Sequence, residues 1–300
     1  MTDFLIITST EDIASMNMRD KFLNNDEYIF KETNSLWHNN PLFKVERILD
    51  PEKNKLLEEN VIYLGLTDTP LIYLNDLKLE NSSINPDLLI FASRHRSETE
   101  RPAFLTHTTG NWADKADYGG DPRKLSNTSA LLLKAGFLSL MEQTQLLDNS
   151  EFVVDIEVSH HGPTTLEKPL IFMELGSSEK EWIIDDAGKV VSSAVINTVI
   201  KYLEFHNQKE YKVGVGFGGM HYAPQFKKLL KDKDIAISFI CPKYFIQELN
   251  KDLVEQMLNN TYEKVDYFII DWKGTNSADK KHLIPLLEEF NIPIKKSKDF

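Results

Sequence analysis

The chain has 300 residues, 41% apolar and 27% charged, with a formal net charge of −12 from 34 Lys and Arg against 46 Asp and Glu. That composition supports a sizeable core and excludes wholesale disorder, and its acidic balance argues against a broadly basic nucleic-acid surface, because Lys and Arg supply most non-specific phosphate affinity. No apolar run approaches the ~18 residues of a membrane span, and the lone Cys241 excludes an internal disulfide or a thiolate metal cluster, which fits a reducing cytoplasm.

In chain order, "FLIITS" (4–9) reads as a strand, and Ser9 is expected to cap an amphipathic helix that follows it. The opening residues have no basic n-region and are not expected to form a secretory signal. "WHNNPLFKVERILDPEKNKLLEEN" (37–60) reads as a small appended element, at about 34–60, or as part of a binding platform. "VIYLGL" (61–66) and "LLIFAS" (88–93) are short apolar runs of the buried-strand kind. Residues 94–125 are the least regular region, a long loop of the sort that is usually functional or disordered. A helix is expected after Asn127, then a strand at 151–159 whose polar side carries Asp155 and Glu157. "IFMELG" (171–176) is a strand and 192–205 a helix; strands follow at 211–216, 234–240 and 266–271, with helices at 224–231, 245–259 and 277–290. Such alternation predicts an α/β fold with a largely parallel sheet, and ligands in such sheets gather at the carboxyl ends of strands. No repeat or long linker divides the chain, so one domain over 1–300 is expected.

Four segments carry candidate chemistry. In "ASRHRSETERPAFLTHTTGNW" (92–112), Arg94 and Arg96 offer forked donors for phosphate or carboxylate, and Thr108 and Asn111 could orient a water or a carbonyl. The plainer account is that these groups satisfy a long loop. In "VSHHGPTT" (158–165), His160 and His161 leave a strand just before the sharp turn that Gly162 and Pro163 impose, with Glu157 upstream. Adjacent imidazoles fill a core poorly but reach a metal or a proton well. In "FMELGSSEKEW" (172–182), Ser178 and Glu181 form a capping box, whereas Glu174, on an otherwise apolar strand, needs a partner. In "VGVGFGGMHYAPQFKKLL" (213–230), Gly214, Gly216 and Gly219 match G-x-G-x-x-G. A dinucleotide site is nonetheless excluded, because the next strand ends in Cys241-Pro242 instead of the acidic residue that would hold a ribose. What remains is a turn presenting His221 and Tyr222, then a helix with Lys227, Lys228 and Lys231 on one face.

Taken in order, "FASRHRS", "LTHTTGNW", "EVSHHGPTT", "MELGSSEKEW", "GFGGMHYAPQF" and "IDWKGTNSADK" resemble the archaeal-type D-aminoacyl-tRNA deacylases, which also occur in plants. The resemblance implies a phosphorylase/hydrolase-like core with a mixed, largely parallel sheet flanked by helices. It also implies a cytoplasmic, Zn2+-dependent hydrolase, with one or two ions, cutting the ester between a D-amino acid and the 3′ acceptor end of tRNA, and extending to glycine mischarged on alanine tRNA. No membrane and no obligate protein partner is implied. On those positions His160, His161, His221 and Glu174, with Glu157 as the alternative carboxylate, are assigned to the metal. His107 is assigned as general base, with Thr108 and Asn111 steadying the oxyanion. Arg94, Arg96, Lys227, Lys228 and Lys231 are assigned to substrate and tRNA. The rival readings are a nucleoside phosphorylase or zinc amidase on the same fold, or a non-catalytic tRNA-binding adaptor. A phosphorylase needs phosphate for turnover, and an adaptor binds with steep salt dependence yet hydrolyses nothing.

Overall fold

The computed structural model describes residues 1–147, 151–208 and 210–300. Its strands and helices run in the order β1 (Asp3–Ser9), α1 (Ile13–Leu23), β2 (Tyr28–Trp37), β3 (Asn40–Ile48), α2 (Pro51–Lys55), β4 (Val61–Thr67), β5 (Leu88–Arg96), β6 (Ala103–His107), α3 (Ala130–Thr144) and β7 (Val153–Ile156). They continue with β8 (Leu170–Ser177), α4 (Glu179–Trp182), α5 (Asp185–Gln208), β9 (Lys212–Phe217), α6 (Pro224–Asp232), β10 (Ile235–Cys241), α7 (Lys251–Asn259), β11 (Tyr267–Ile270), α8 (Ser277–Glu288) and β12 (Ile294–Lys296). An eight-stranded mixed sheet has the order β2-β3-β4-β1-β5-β8-β6-β7, and a four-stranded sheet the order β10-β9-β11-β12. The second sheet is parallel throughout; in the first, β3 runs antiparallel to both β2 and β4, and β6 runs antiparallel to β8.

The continuous apolar runs are explained by burial on both faces. Phe4, Ile6, Leu88, Ile90, Ala92, Ile171 and Met173 face a helical layer that includes α1, α3 and α5. Their alternates Leu5, Ile7, Leu89, Phe91, Leu170 and Phe172 face a cover made of Trp37, Leu42 and the segment 71–84. The first core also takes in Val213, Val215 and Phe268 of the second sheet.

Several sequence expectations change here. Asp12, not Ser9, caps α1: its carboxylate accepts from the Ser15 N–H at 2.9 Å, while Ser9 stays in β1 and its hydroxyl donates to the Thr69 carbonyl. The expected appended element at 34–60 carries the end of β2, all of β3 and α2, so it forms part of the main sheet's edge. The expected loop at 94–125 begins inside β5 and contains β6, a strand too short to show a period. The helix expected at 245–259 is divided into a 3-10 turn, Lys243–Glu248, and α7, which Asn250 restarts by accepting from the Leu253 N–H. The capping box is present, with the Glu181 carboxylate accepting from both the N–H and the hydroxyl of Ser178.

Candidate active site

Strand register assembles the site. Glu174 lies beside Ser93 of β5 and opposite Leu105 of β6; Gly176 lies beside His95, and Phe172 opposite His107. Because side chains alternate along a strand, His95, Glu174 and His107 project from the face that carries Phe172, away from the helical layer. β7 runs parallel to β6, so the residue after β7, Glu157, arrives beside His107, and its N–H donates to the Thr106 carbonyl at 3.2 Å. The chain then crosses to the second sheet. Val158 N–H donates to the His221 carbonyl at 2.9 Å and Ser159 N–H to that of Ile240 at 3.0 Å, which draws the His221 turn over Glu157. That turn needs glycine: Gly218 and Gly219 have φ of 96° and 81°.

The imidazoles are held in a common way. Nδ1 of His107 meets the Thr108 carbonyl at 3.1 Å, that of His160 the Val158 carbonyl at 2.8 Å and that of His161 the Gly162 carbonyl at 2.6 Å. A carbonyl only accepts, so each Nδ1 carries a proton and each Nε2 is turned toward the cluster, the orientation that metal-ligating histidines adopt once Nε2 is deprotonated. The His107 and His160 rings stand 4.3 Å apart, and those of His107 and His161 4.8 Å. His161 reaches this pose from φ 45°, a left-handed backbone uncommon outside glycine.

Two carboxylates lie beneath the rings. Glu157 Oε1 is 2.8 Å from His221 Nε2, while its Oε2 is 3.8 Å from His160 Nε2, 3.9 Å from His107 Nε2 and 3.8 Å from His95 Nδ1. Glu174 contacts His95 Nδ1 at 3.3 Å and His107 Nε2 at 3.5 Å. Buried Glu157 Oε2, His107 Nε2 and His95 Nε2 have no hydrogen-bond partner. Unpaired polar atoms are costly when buried. The spacing suits a cation: tetrahedral ligands at zinc distances lie roughly 3.4 Å from one another. Three overlapping groups converge within 4.8 Å: His107, His160 and His161; Glu157, His160 and His221; and His95, Glu157 and Glu174. The nitrogen and oxygen donor set therefore fits a divalent metal ion.

Electrostatics sorts these groups. Burial, then the charge on His107, pushes His160 well below its ordinary pKa and His161 down to about 4, so both stay neutral near pH 7. Burial also acts to lower His95 and His107, but Glu174 and Glu157 outweigh it and raise both. Burial alone would raise Glu157 and Glu174. Hydrogen bonds and charges from the surrounding imidazoles instead hold Glu157 at about 2 and Glu174 far below the usual carboxylate range.

The cluster forms the floor of a cleft of about 990 Å³. Its walls include Arg94, Arg96, Tyr73, Tyr118, Phe245 and His221. Of the expected metal residues, His160, His161, His221 and Glu174 all converge, and Glu157 joins Glu174 instead of replacing it. His107 is brought into the same cluster, but it is fully buried and does not line the cleft, so a general base at the substrate is not its place. The Thr108 hydroxyl, expected to steady an oxyanion, is buried and already engaged. It donates to the Ser238 carbonyl at 3.0 Å and meets the Ser159 hydroxyl at 2.6 Å. Asn111 lines the cleft, but its amide nitrogen donates to the carbonyls of Gly119 and Asp121, which pins the loop. Lys227 is also committed, to the Val154 carbonyl at 2.6 Å and the Asp155 carboxylate at 3.1 Å. Lys228 and Lys231 are exposed on α6 away from the cleft walls. Arg94 and Arg96 flank the Trp182 ring at 5.4 and 5.3 Å, and Arg96 pairs with Glu179. His95 has no assigned role in the sequence reading; its signal is the alternation Ser93, His95 on a strand that turns polar at its end.

Residues 82–295 match a family described as D-aminoacyl-tRNA deacylase. A D-aminoacyl-tRNA deacylase of Thermococcus kodakarensis is 35% identical over 289 residues, 96% of this chain and 97% of that protein. One from Pyrococcus horikoshii is 36% identical over 289 residues with the same coverage. A crystal structure of a conserved protein of unknown function superposes with a TM-score of 0.82 at 29% identity, covering 99% of this chain and 96% of that one.

Proposed function

The chain belongs to the D-aminoacyl-tRNA deacylase family, and from that premise we propose that it hydrolyses D-aminoacyl-tRNA to free tRNA and D-amino acid, using Zn2+ held by the histidine and glutamate cluster. The observation that carries this reading is the convergence of imidazoles with bare Nε2 atoms on two buried carboxylates at the floor of the cleft. His107, His160 and His161 would hold the ion, with Glu157 Oε2 facing them. A divalent cation there supplies Lewis acidity to the ester and to an attacking water.

The remaining chemistry falls to the chain itself. His221 lines the cleft and is oriented by Glu157 at 2.8 Å, with the Tyr244 hydroxyl 3.3 Å from its other nitrogen. A base held by a carboxylate at the substrate's edge can take a proton from the water that adds to the acyl carbon and return it to the departing ribose oxygen, which leaves as a hydroxyl as the acyl C–O bond breaks. Arg94 and Arg96 stand at the wall to meet a phosphate or the carboxylate of the released amino acid. Tyr73 and Tyr118, about half and two-thirds exposed at the mouth (48% and 70%), offer faces on which an unpaired base can stack.

A tRNA substrate and a single buried cysteine support a cytoplasmic enzyme, and among the described residues no helix is long and apolar enough to cross a membrane. Purified protein offered D-tyrosyl-tRNA and its L counterpart is expected to hydrolyse the D form much faster. Equal rates, or no turnover with zinc supplied, would overturn the reading.

A further inference from the structure

An enzyme of net charge −12 that acts on a polyanion must concentrate positive charge somewhere. Lys227 does not provide it, being tied to Asp155. On the second sheet, Lys280 from α8 and Lys296 from β12 converge on one ring, with their ammonium nitrogens 4.6 and 4.3 Å from the centroid of Trp272. All three side chains are partly exposed, and neither ammonium has an ion-pair partner among the described residues. The nearby carboxylates accept hydrogen bonds from groups other than these two ammonium nitrogens. Asp279 accepts from Gln247 at 2.8 Å, Asp271 from the Gly274 N–H at 3.0 Å, and Asp299 from the backbone N–H of Lys296 at 2.8 Å. Exposed Lys273 and Lys281 adjoin Trp272 and Lys280 in sequence and add charge. Two like charges gathered on one ring repel, and the cation–π attraction offsets this only in part. An anion between them turns the repulsion into attraction.

Two hydrogen bonds tie the segments that carry the patch to segments that line the cleft. Gln247 lies two residues from cleft-lining Phe245, and the residue it bonds, Asp279, precedes Lys280. Gly274, two residues after Trp272, accepts at its carbonyl from the Gly219 N–H at 3.3 Å, and Gly219 lies two residues before His221. A cleft of about 990 Å³ has the size of a small-ligand site, which admits a terminal nucleoside with its amino acid but no duplex. The double-stranded part of the substrate must therefore lie outside it, on the rim.

We propose that the Trp272–Lys280–Lys296 surface receives the phosphodiester backbone of the acceptor arm while the unpaired 3′ end enters the cleft. This rests on the deacylase reading for its partner. The test compares the Lys280→Gln/Lys296→Gln double variant with a control, Lys31→Gln/Lys55→Gln, which removes the same charge from the far sheet edge. Three readouts are taken: affinity for uncharged tRNA against salt, kcat and KM for D-tyrosyl-tRNA, and hydrolysis of 3′-O-(D-tyrosyl)adenosine.

In the first variant the slope of log K against log salt becomes shallower by about 0.7 to 0.9 for each phosphate that is no longer neutralised, and KM for the tRNA ester rises about tenfold. Its kcat and its hydrolysis of the adenosine ester stay unchanged, and the control matches the parent protein. Unaltered tRNA affinity and slope, an equal loss from the control, or a parallel loss on the adenosine ester would each overturn the proposal. If tRNA binding weakens as expected but the parent protein cleaves neither ester, the deacylase reading fails and the landing surface stands.

Discussion

An imidazole that donates Nδ1–H to a backbone carbonyl has one lone pair left to offer, and His107, His160 and His161 are all held in this way. His221 differs, being oriented by a carboxylate and partly open to the cleft. Alanine at His107, His160 or His161 is therefore expected to lower the zinc content of the purified protein and abolish turnover. Alanine at His221 is expected to leave most of the zinc in place while kcat falls by about 10²–10⁴, the usual contribution of a positioned acid or base. Metal analysis beside steady-state kinetics separates the two, and zinc loss from His221→Ala would move it into the ligand set. Thr108 tests the other side of the assignment. Since its hydroxyl bridges Ser159 and the Ser238 carbonyl, Thr108→Val is expected to cost about 1–3 kcal/mol in denaturant unfolding. Its kcat should stay near that of the parent, whereas an oxyanion donor would lose it.

At the scale of elements, the loop after β6 locks the histidine turn. Gly119 sits at φ 83° against the Ile72 carbonyl, where a Cβ has no room, and the neighbouring Tyr118 carbonyl accepts from the Gly162 N–H at 3.1 Å. Gly119→Ala forces both a left-handed alanine and a displacement of that loop, for about 1–3 kcal/mol of backbone strain. Because Gly162 follows His161, zinc affinity should weaken along with thermal stability, and a variant with parental zinc binding would show that the two loops are uncoupled. α6 gives the opposite case. With Lys227 anchored to β7, Lys227→Gln should lower stability by at most about 1 kcal/mol and leave KM for tRNA unchanged.

Across the whole molecule, the buried titratable groups predict how the metal-free protein responds to pH. His95 and His107 have pKa values above their ordinary 6.5, so the folded chain holds their protons more tightly than the unfolded chain. That stabilisation is complete below about 6.5 and is lost as pH rises through the raised values. His160 and His161 lie below 6.5, so their contribution is complete above it and is lost as pH falls, for His161 through about 4. Glu157 adds a further acid limb, from its ordinary 4.5 down to about 2. In chelator, the unfolding temperature should therefore peak near pH 6.5, and a steady rise or fall between pH 4 and 9 would contradict these assignments. Added zinc should stabilise most on the alkaline side, since ligation requires deprotonated imidazoles.

What the amino-acid order determined alone was local: the apolar runs that became β1, β5 and β8, the capping box at Ser178, the turn after His161 and the family motifs that bracket the site. These follow from period, turn chemistry and residue type, all readable within a few positions. The tertiary structure decided whatever depends on partners distant in the chain. Register placed Glu174 diagonally from His107, and the pairing of Val158 with His221 closed Glu157 beneath the rings. Thr108, Asn111 and Lys227 looked available because their hydrogen-bond partners Ser238, Gly119 and Asp155 could not be read from their neighbours. Short β6 and the Trp272 patch stayed hidden for the same reason: their meaning comes from contacts between segments, and such contacts exist only once the chain has folded.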